Sequence, residues 1–151
     1  MNQNHLAFVD SFLRAFVGIK NERIIKHFVR KIARNKCFLW QIRIANREFC
    51  LMGPKADSAF DIACKRNAYE LIFDGPFSYE TPIPLLKEHY TAALIREDGP
   101  REFYVFDKDY EWCYVVTHEG DACGPYFFKA LNQETKVPAA PEKLIRKKRN
   151  E

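Results

Sequence analysis

Apolar residues recur at helical spacing along the first third of the chain. Between His5 and Ile19 they fall on one helical face, at Leu6, Val9, Phe12, Leu13, Phe16 and Val17. After Asn21, whose short polar side chain suits a helix N-cap, a second set repeats at Ile24, Ile25, Phe28, Val29 and Ile32. Because an amphipathic helix buries one such face, the pattern predicts two N-terminal helices, the second ending in a basic cluster.

Short apolar runs bounded by turn residues predict the strands. Cys37–Ile44 is rich in β-branched and aromatic residues, and Phe49–Met52 follows a short polar link and stops at Gly53-Pro54. These two runs are typical of a hairpin. Three more runs of this kind predict strands at Tyr69–Phe73, Glu102–Phe106 and Tyr110–Thr117. In the last of these, alternation along a strand places Trp112, Tyr114, Val116 and His118 on one face.

Helical spacing returns in the rest of the chain. Lys55–Arg66 and Pro82–Ile95 repeat small or apolar residues on one face, and the prolines near the start of the second segment suit a first helical turn. Tyr126–Leu131 predicts a short terminal turn of helix. Together these elements predict an α+β fold, with N-terminal helices packed on a mainly antiparallel sheet of about five strands as one layer pair.

The chain is large enough for one domain. It is 47% hydrophobic and contains 13 Phe, so we expect a single α/β domain over residues 1–131. From Asn132 onward it has few large apolar residues, two prolines and a basic end. Such a segment buries too little apolar surface to offset its ordering entropy, so residues 132–151 are expected to form a flexible basic tail.

The net charge of +4 conceals three opposed blocks. Met1–Arg66 holds 13 Lys/Arg against 5 Asp/Glu, Asn67–Thr135 holds 5 against 13, and residues 136–151 hold 6 against 2. The net charges of the blocks are therefore +8, −8 and +4. Opposed blocks either face each other within a fold or form separate patches that steer charged partners. A general nucleic-acid binder carries a larger basic excess, so the composition as a whole argues against nucleic acid as the partner.

Cysteine usage and hydropathy bear on the compartment. The five cysteines are widely spaced and mostly lie in apolar runs, which is typical of free thiols in a reducing environment. The chain opens with no secretion leader, and its apolar runs stop well short of the roughly 20 residues of a membrane helix. We therefore expect a cytoplasmic protein with no membrane association, no cofactor and no bound metal.

Several short segments carry a family resemblance. They are Leu39-Trp40, Ala59-Phe60, Asp107–Trp112, Thr117-His118-Glu119 and Gly124–Phe127. With these segments the chain resembles a small bacterial family, domain of unknown function 4275, over roughly Lys36 to Phe128. The resemblance implies a compact α/β fold and a bacterial or phage source. It implies no activity.

Candidate chemistry concentrates beyond residue 106. Cys113, His118 and Cys123, with Glu119 adjacent, are zinc-ligand types, but no close Cys pair accompanies them. A nucleophilic site would pair one of these cysteines with a histidine, yet the sequence holds no nucleophile elbow. Oxygen ligands suit a divalent metal, so the alternative function is a small metal-dependent hydrolase or nuclease using Asp107, Asp109, His118 and Glu119.

The leading functional hypothesis from the sequence is a non-enzymatic protein-binding domain. No catalytic motif is complete, and an acidic block would speed encounter with a basic partner. This suggests an immunity or antitoxin-type protein that occludes a toxin. The expected contact residues are Asp107, Asp109, Glu111, Glu119 and Asp121. A third hypothesis is nucleic-acid association through the basic N-terminal helices and tail.

Overall fold

The computed structural model describes residues 3–34, 36–45, 50–73, 82–85, 89–97 and 102–131. The expected tail over residues 132–151 lies outside the described residues. The described helices are α1 (Gln3–Phe12), α2 (Glu22–Ala33), α3 (Leu39–Ala45), α4 (Pro54–Ile62) and α5 (Ala92–Glu97). The strands are β1 (Cys50–Met52), β2 (Ala68–Phe73), β3 (Ile83–Pro84), β4 (Glu102–Asp107), β5 (Trp112–Val116) and β6 (Tyr126–Lys129).

The six strands form one antiparallel sheet in the order β1-β6-β5-β4-β2-β3. The α+β prediction is confirmed, and two-residue β3 extends the expected set of strands. Alternate residues of β4 and β5 point to opposite faces, as the pleat requires. Tyr104 and Cys113 enter the cluster that α1, α2 and α3 cover, whereas Val105 and Tyr114 enter the cluster that α4 and α5 cover. Helices therefore lie on both faces of the sheet, so α4 and α5 add a layer to the single layer pair that the sequence predicted.

The N-terminal helices follow the apolar pattern closely. α1 continues into a π-helical turn over Leu13–Val17, which ends at Gly18 in a left-handed conformation with φ of 77°. The Asn21 side chain then accepts hydrogen bonds from the backbone N–H groups of Arg23 and Ile24, at 2.9 and 3.4 Å. Because these N–H groups have no partner inside the helix, this N-cap fixes where α2 begins.

Three predicted elements differ from the structure. Cys37–Ile44 is not a strand, since Leu39–Ala45 forms α3, and β1 pairs with β6 instead of forming the predicted hairpin. Within Pro82–Ile95, Ile83–Pro84 pairs with β2 instead of starting a helix, and the described helix α5 begins at Ala92. Tyr126–Leu131 is not a turn of helix, because its first four residues are β6, between β1 and β5.

Within the described residues, no helix is long and apolar enough to cross a membrane.

Candidate functional site

The structure places the five acidic residues of the predicted contact surface at opposite ends of β5. Asp107 closes β4, and Asp109 and Glu111 lie in the turn before β5, whereas Glu119 and Asp121 follow it. Five residues of strand span roughly 16 Å. The structure therefore does not bring Asp107 and Asp109 together with His118 and Glu119, the set proposed for a metal-dependent enzyme.

The acidic residues before β5 build a turn. The Asp107 carboxylate accepts the backbone N–H of Asp109 at 2.8 Å, and the Asp107 carbonyl accepts that of Tyr110 at 2.8 Å. Aspartate commonly forms such turns. Tyr110 has a φ of 56° and packs its ring 5.2 Å from that of Phe106, so the core holds this residue in its left-handed conformation.

Asp121 joins a different network, beside α4 and α5. It lies 3.8 Å from the Arg96 guanidinium, which also pairs with Asp57. The second oxygen of Asp57 accepts the Tyr114 hydroxyl at 2.8 Å. Burial, followed by the hydrogen bond to Asp57, raises the pKa of Tyr114, so this hydroxyl stays protonated. Asp121 therefore lies beside Arg96 of α5, apart from the acidic turn that precedes β5.

A buried carboxylate meets a histidine on the other face of the sheet, at the end where β4 begins and β5 ends. Glu102 is 4% exposed, and its Oε2 lies 3.0 Å from Nδ1 of His118. Its Oε1 accepts the hydroxyl of Tyr104 at 2.7 Å. That hydroxyl in turn accepts the backbone N–H of Trp40 at 3.3 Å, which ties α3 to the sheet. We call Glu102 and His118 the dyad.

Aromatic rings enclose the dyad on the α3 side. The Phe38 ring lies 4.7 Å from the His118 ring and 6.2 Å from that of Trp40. Trp40 stacks on Tyr126 at 5.8 Å. The dyad therefore has an apolar wall on one side, and the His118 side chain is 39% exposed on the other.

Burial controls the protonation of this network. It raises the pKa of Glu102, although hydrogen bonds from Tyr104 and His118 oppose the shift. Burial and the neighbouring Glu102 charge raise the pKa of Tyr104 well above its ordinary value, so Tyr104 acts as a hydrogen-bond donor. A carboxylate held by two donors in a low-dielectric site is costly to bury, and such groups concentrate at functional sites.

The dyad sets the orientation of the imidazole ring. When Nδ1 carries a hydrogen and donates to Glu102, Nε2 keeps its lone pair and faces away from the carboxylate. Oε1 of Glu119 lies 4.0 Å from Nε2. This arrangement suits a proton acceptor, because the buried carboxylate would stabilise the imidazolium that forms.

The neighbouring thiols are not poised to react. Cys113 is completely buried, and burial raises the pKa of its thiol well above the ordinary value. A hydrogen bond to Glu119 is the main cause of the raised pKa of Cys123. Thiolates are the nucleophilic form of cysteine, so neither residue is activated by the dyad. Among the described residues, no three His, Cys, Asp or Glu side chains are grouped as metal ligands.

The exposed face of α2 carries the largest group of charges of one sign on a described element. We call its five cations the basic stripe: Arg23, Lys26, Arg30, Lys31 and Arg34. Steps of three and four residues place Arg23, Lys26, Arg30 and the C-cap residue Arg34 along one side of the helix, and Lys31 lies next to Arg30. The opposite side packs into the core through Ile25 and Ile32, which are 3% and 1% exposed.

Sequence reasoning found His118 and missed its partner. Alternation placed His118 on the face of Trp112 and Tyr114, which is wrong because β5 ends at Val116 and the imidazole packs on Phe38, across the sheet. The signal for Glu102 was in the two predicted strands Glu102–Phe106 and Tyr110–Thr117, which are joined by a short turn. Pairing the two strands outward from this turn places Glu102 opposite Thr117 and next to His118. The observed pairing of Phe103 with Val116 has this register.

Comparison with known proteins identifies the family. Searches of curated proteins and of solved structures gave no match. The family described as Domain of unknown function (DUF4275) matches residues 10–127. This range includes the dyad, the whole basic stripe, strands β1 to β5 and the first half of β6. By this match over most of its length, the chain belongs to the DUF4275 family.

Proposed function

We propose that the protein is a binding domain that holds the phosphate backbone of nucleic acid on the basic stripe. The observation that supports this proposal is that acidic side chains in the described part of the chain do not neutralise the cations of the stripe. All five cations are exposed, and none makes an ion pair with any side chain that the structure describes. Unpaired cations concentrated on one face produce the local potential that attracts a polyanion.

The one acidic residue of α2 does not weaken the stripe. Glu22 lies in the first turn and pairs with Arg14 of the π-helical turn that follows α1, whose guanidinium also bonds Asp10 at 2.9 Å. Glu22 is thus engaged by a cation outside the stripe. The charge of the five stripe residues remains available to a partner.

The residues on the exposed face of α2 favour nucleic acid over an acidic protein as the partner, although the small basic excess of the whole chain does not. Protein interfaces are enriched at their centre in aromatic residues and methionine and are depleted of charge. The only large apolar side chain exposed on α2 is Ile24, at 46%. Protein–nucleic acid interfaces are instead polar and strongly positive. A face of five cations with one exposed isoleucine therefore resembles a protein–nucleic acid interface.

The length of the stripe fits a backbone contact. From Arg23 to Arg34 a helix rises roughly 17 Å. Phosphates of one DNA strand are about 3.4 Å apart along the axis, so the stripe spans about five of them. The stripe has no Asn or Gln for reading adenine, and all its members suit phosphate, so we expect binding that depends little on base sequence.

A binding titration tests this proposal. Fluorescence anisotropy would measure the Kd for labelled 20-nucleotide RNA and for 20-base-pair DNA at 0.1 M salt. The triple variant Lys26→Gln, Arg30→Gln, Arg34→Gln removes three stripe charges while keeping helix propensity similar. We expect it to weaken binding on the order of 100-fold, because each lost phosphate contact forfeits counterion release.

A matched triple variant controls for net charge. Lys55→Gln, Lys108→Gln and Lys129→Gln removes the same charge from exposed positions outside α2. We expect it to change Kd by less than about threefold. No measurable binding by the wild-type protein, or equal weakening by both triples, would show that the stripe is not a nucleic-acid site.

A further inference from the structure

We propose that His118 cleaves RNA held on the basic stripe, by accepting a proton from a ribose 2′-hydroxyl, with Glu102 as its positioning residue. This inference rests on the proposed nucleic-acid binding and adds an activity to it. It starts from the direction of the imidazole. Nδ1 faces the buried Glu102 carboxylate at 3.0 Å, so Nε2 is the nitrogen available to a substrate.

The dyad lies close to the end of the stripe along the chain. Arg34 is the last stripe residue, and Phe38, whose ring lies 4.7 Å from His118, follows four residues later. Exposed Lys36 lies between them. Neighbouring residues are at most about 3.8 Å apart, so Lys36 is within roughly 8 Å of Phe38. A strand bound along α2 and continuing past Lys36 would approach Phe38, whose ring packs on that of His118.

The nucleophile has to come with the substrate. Cys113 is completely buried, the Cys123 thiol bonds Glu119, and the Thr117 hydroxyl donates to the Cys123 carbonyl. None of these three side chains is presented to Nε2. RNA carries a hydroxyl beside each phosphodiester, whereas DNA lacks it. A lone, oriented base next to a phosphate-binding face fits this internal nucleophile.

The step balances without any further reactant. The 2′-hydroxyl gives its proton to Nε2 of His118, and its oxygen forms a bond to phosphorus. The bond from phosphorus to the 5′-oxygen breaks, and that oxygen takes a proton from water. His118 then returns its proton to solvent, and Glu102 stabilises the imidazolium in the meantime. The products are a 2′,3′-cyclic phosphate and a free 5′-hydroxyl.

The test is cleavage of a 5′-labelled, unstructured 20-nucleotide RNA by purified protein in EDTA. We expect cyclic-phosphate ends from the wild-type protein and no cleavage of 2′-O-methyl RNA or DNA of the same sequence. His118→Ala should lower the rate at least about 100-fold, and Glu102→Gln by roughly 100-fold or more, each with an unchanged Kd for RNA. Exposed His89→Ala is the matched control and should keep the wild-type rate.

A positioning role for Glu102 can be separated from a structural one. If Glu102 acts through His118, adding Glu102→Gln to His118→Ala lowers the rate no further, and free imidazole restores cleavage to His118→Gly. The inference is overturned if the wild-type protein binds RNA without cleaving it, or if His118→Ala purified in the same way cleaves at the wild-type rate. In both cases the proposed binding function stands, since the titration measures it separately.

Discussion

Glu102 and His118 are 16 residues apart in sequence, yet Oε2 of the first lies 3.0 Å from Nδ1 of the second. The β4–β5 hairpin brings them together, because its register places the start of β4 beside the end of β5. Glu102 is buried by α3 and the Tyr104 hydroxyl, whereas His118 reaches solvent. The contact thus joins the buried carboxyl group of Glu102 to an imidazole ring that solvent can reach.

The dyad predicts a pH dependence of folding. Burial raises the pKa of Glu102 in the folded protein above the ordinary value of about 4.3 that it has in the unfolded chain. Between these two pKa values the folded state binds more protons than the unfolded state. The contribution of Glu102 to the free energy of unfolding is therefore present at low pH and falls as pH rises through this window.

The variant Glu102→Gln isolates this contribution. Glutamine keeps the size and one acceptor oxygen but does not titrate. Urea unfolding of both proteins between pH 4 and pH 7 should show the variant gaining stability relative to wild type as the pH rises. A difference that stays constant, or one that moves the other way, would mean that the folded-state pKa of Glu102 is not raised.

The helix α3 shows why residue propensities wrongly predicted a strand over Cys37–Ile44. The segment Cys37–Ile44 has the β-branched and aromatic residues of a strand, but its buried members Leu39, Trp40 and Arg43 follow helical spacing. Gln41 also accepts the backbone N–H of Phe38 at 3.1 Å, as the third residue of a helix does in a capping box. That glutamine was the available signal.

The strand β6 was missed for a different reason. Tyr126 and Phe128 face α1–α3, whereas Phe127 faces α4 and α5, so the first three of its four positions are buried. A strand covered on both sides loses the alternation of apolar and polar residues that identifies a strand in sequence. The hairpin of β4 and β5 was predictable because its turn residues, Asp107 and Asp109, lie between two apolar runs.

Trp112 provides a test of the core between the sheet and α4. It is 9% exposed, and its ring stacks on that of Phe127 at 5.8 Å and lies 6.2 Å from that of Phe60. Trp112→Ala should lower the free energy of unfolding by roughly 3–5 kcal/mol. Ile62→Ala, at a position 85% exposed, should change it by less than about 0.5 kcal/mol. Equal effects of the two variants in urea unfolding would contradict this packing.

Substitutions in the acidic turn, Asp107–Glu111, distinguish the nucleic-acid proposal from the hypothesis that the protein occludes a toxin. Asp109 and Glu111 are exposed, and reversing Asp107, Asp109 and Glu111 to lysine adds positive charge outside α2. If the stripe is the functional surface, the Kd for RNA should stay within about threefold of wild type at 0.15 M salt, where distant charges are screened. If the turn is the functional surface, the reversal should instead slow association with a basic protein partner, measured by stopped flow.

The most direct test of the basic stripe is the salt dependence of DNA binding. A plot of log K against log salt between 50 and 200 mM has a slope of about −0.9 for each phosphate neutralised. Five stripe contacts predict a wild-type slope near about −4.5, and Lys26→Gln, Arg30→Gln, Arg34→Gln should reduce its magnitude by about 2.7. The account predicts this reduction for the stripe triple and an unchanged slope for Lys55→Gln, Lys108→Gln, Lys129→Gln. A slope that the stripe triple leaves unchanged would contradict it.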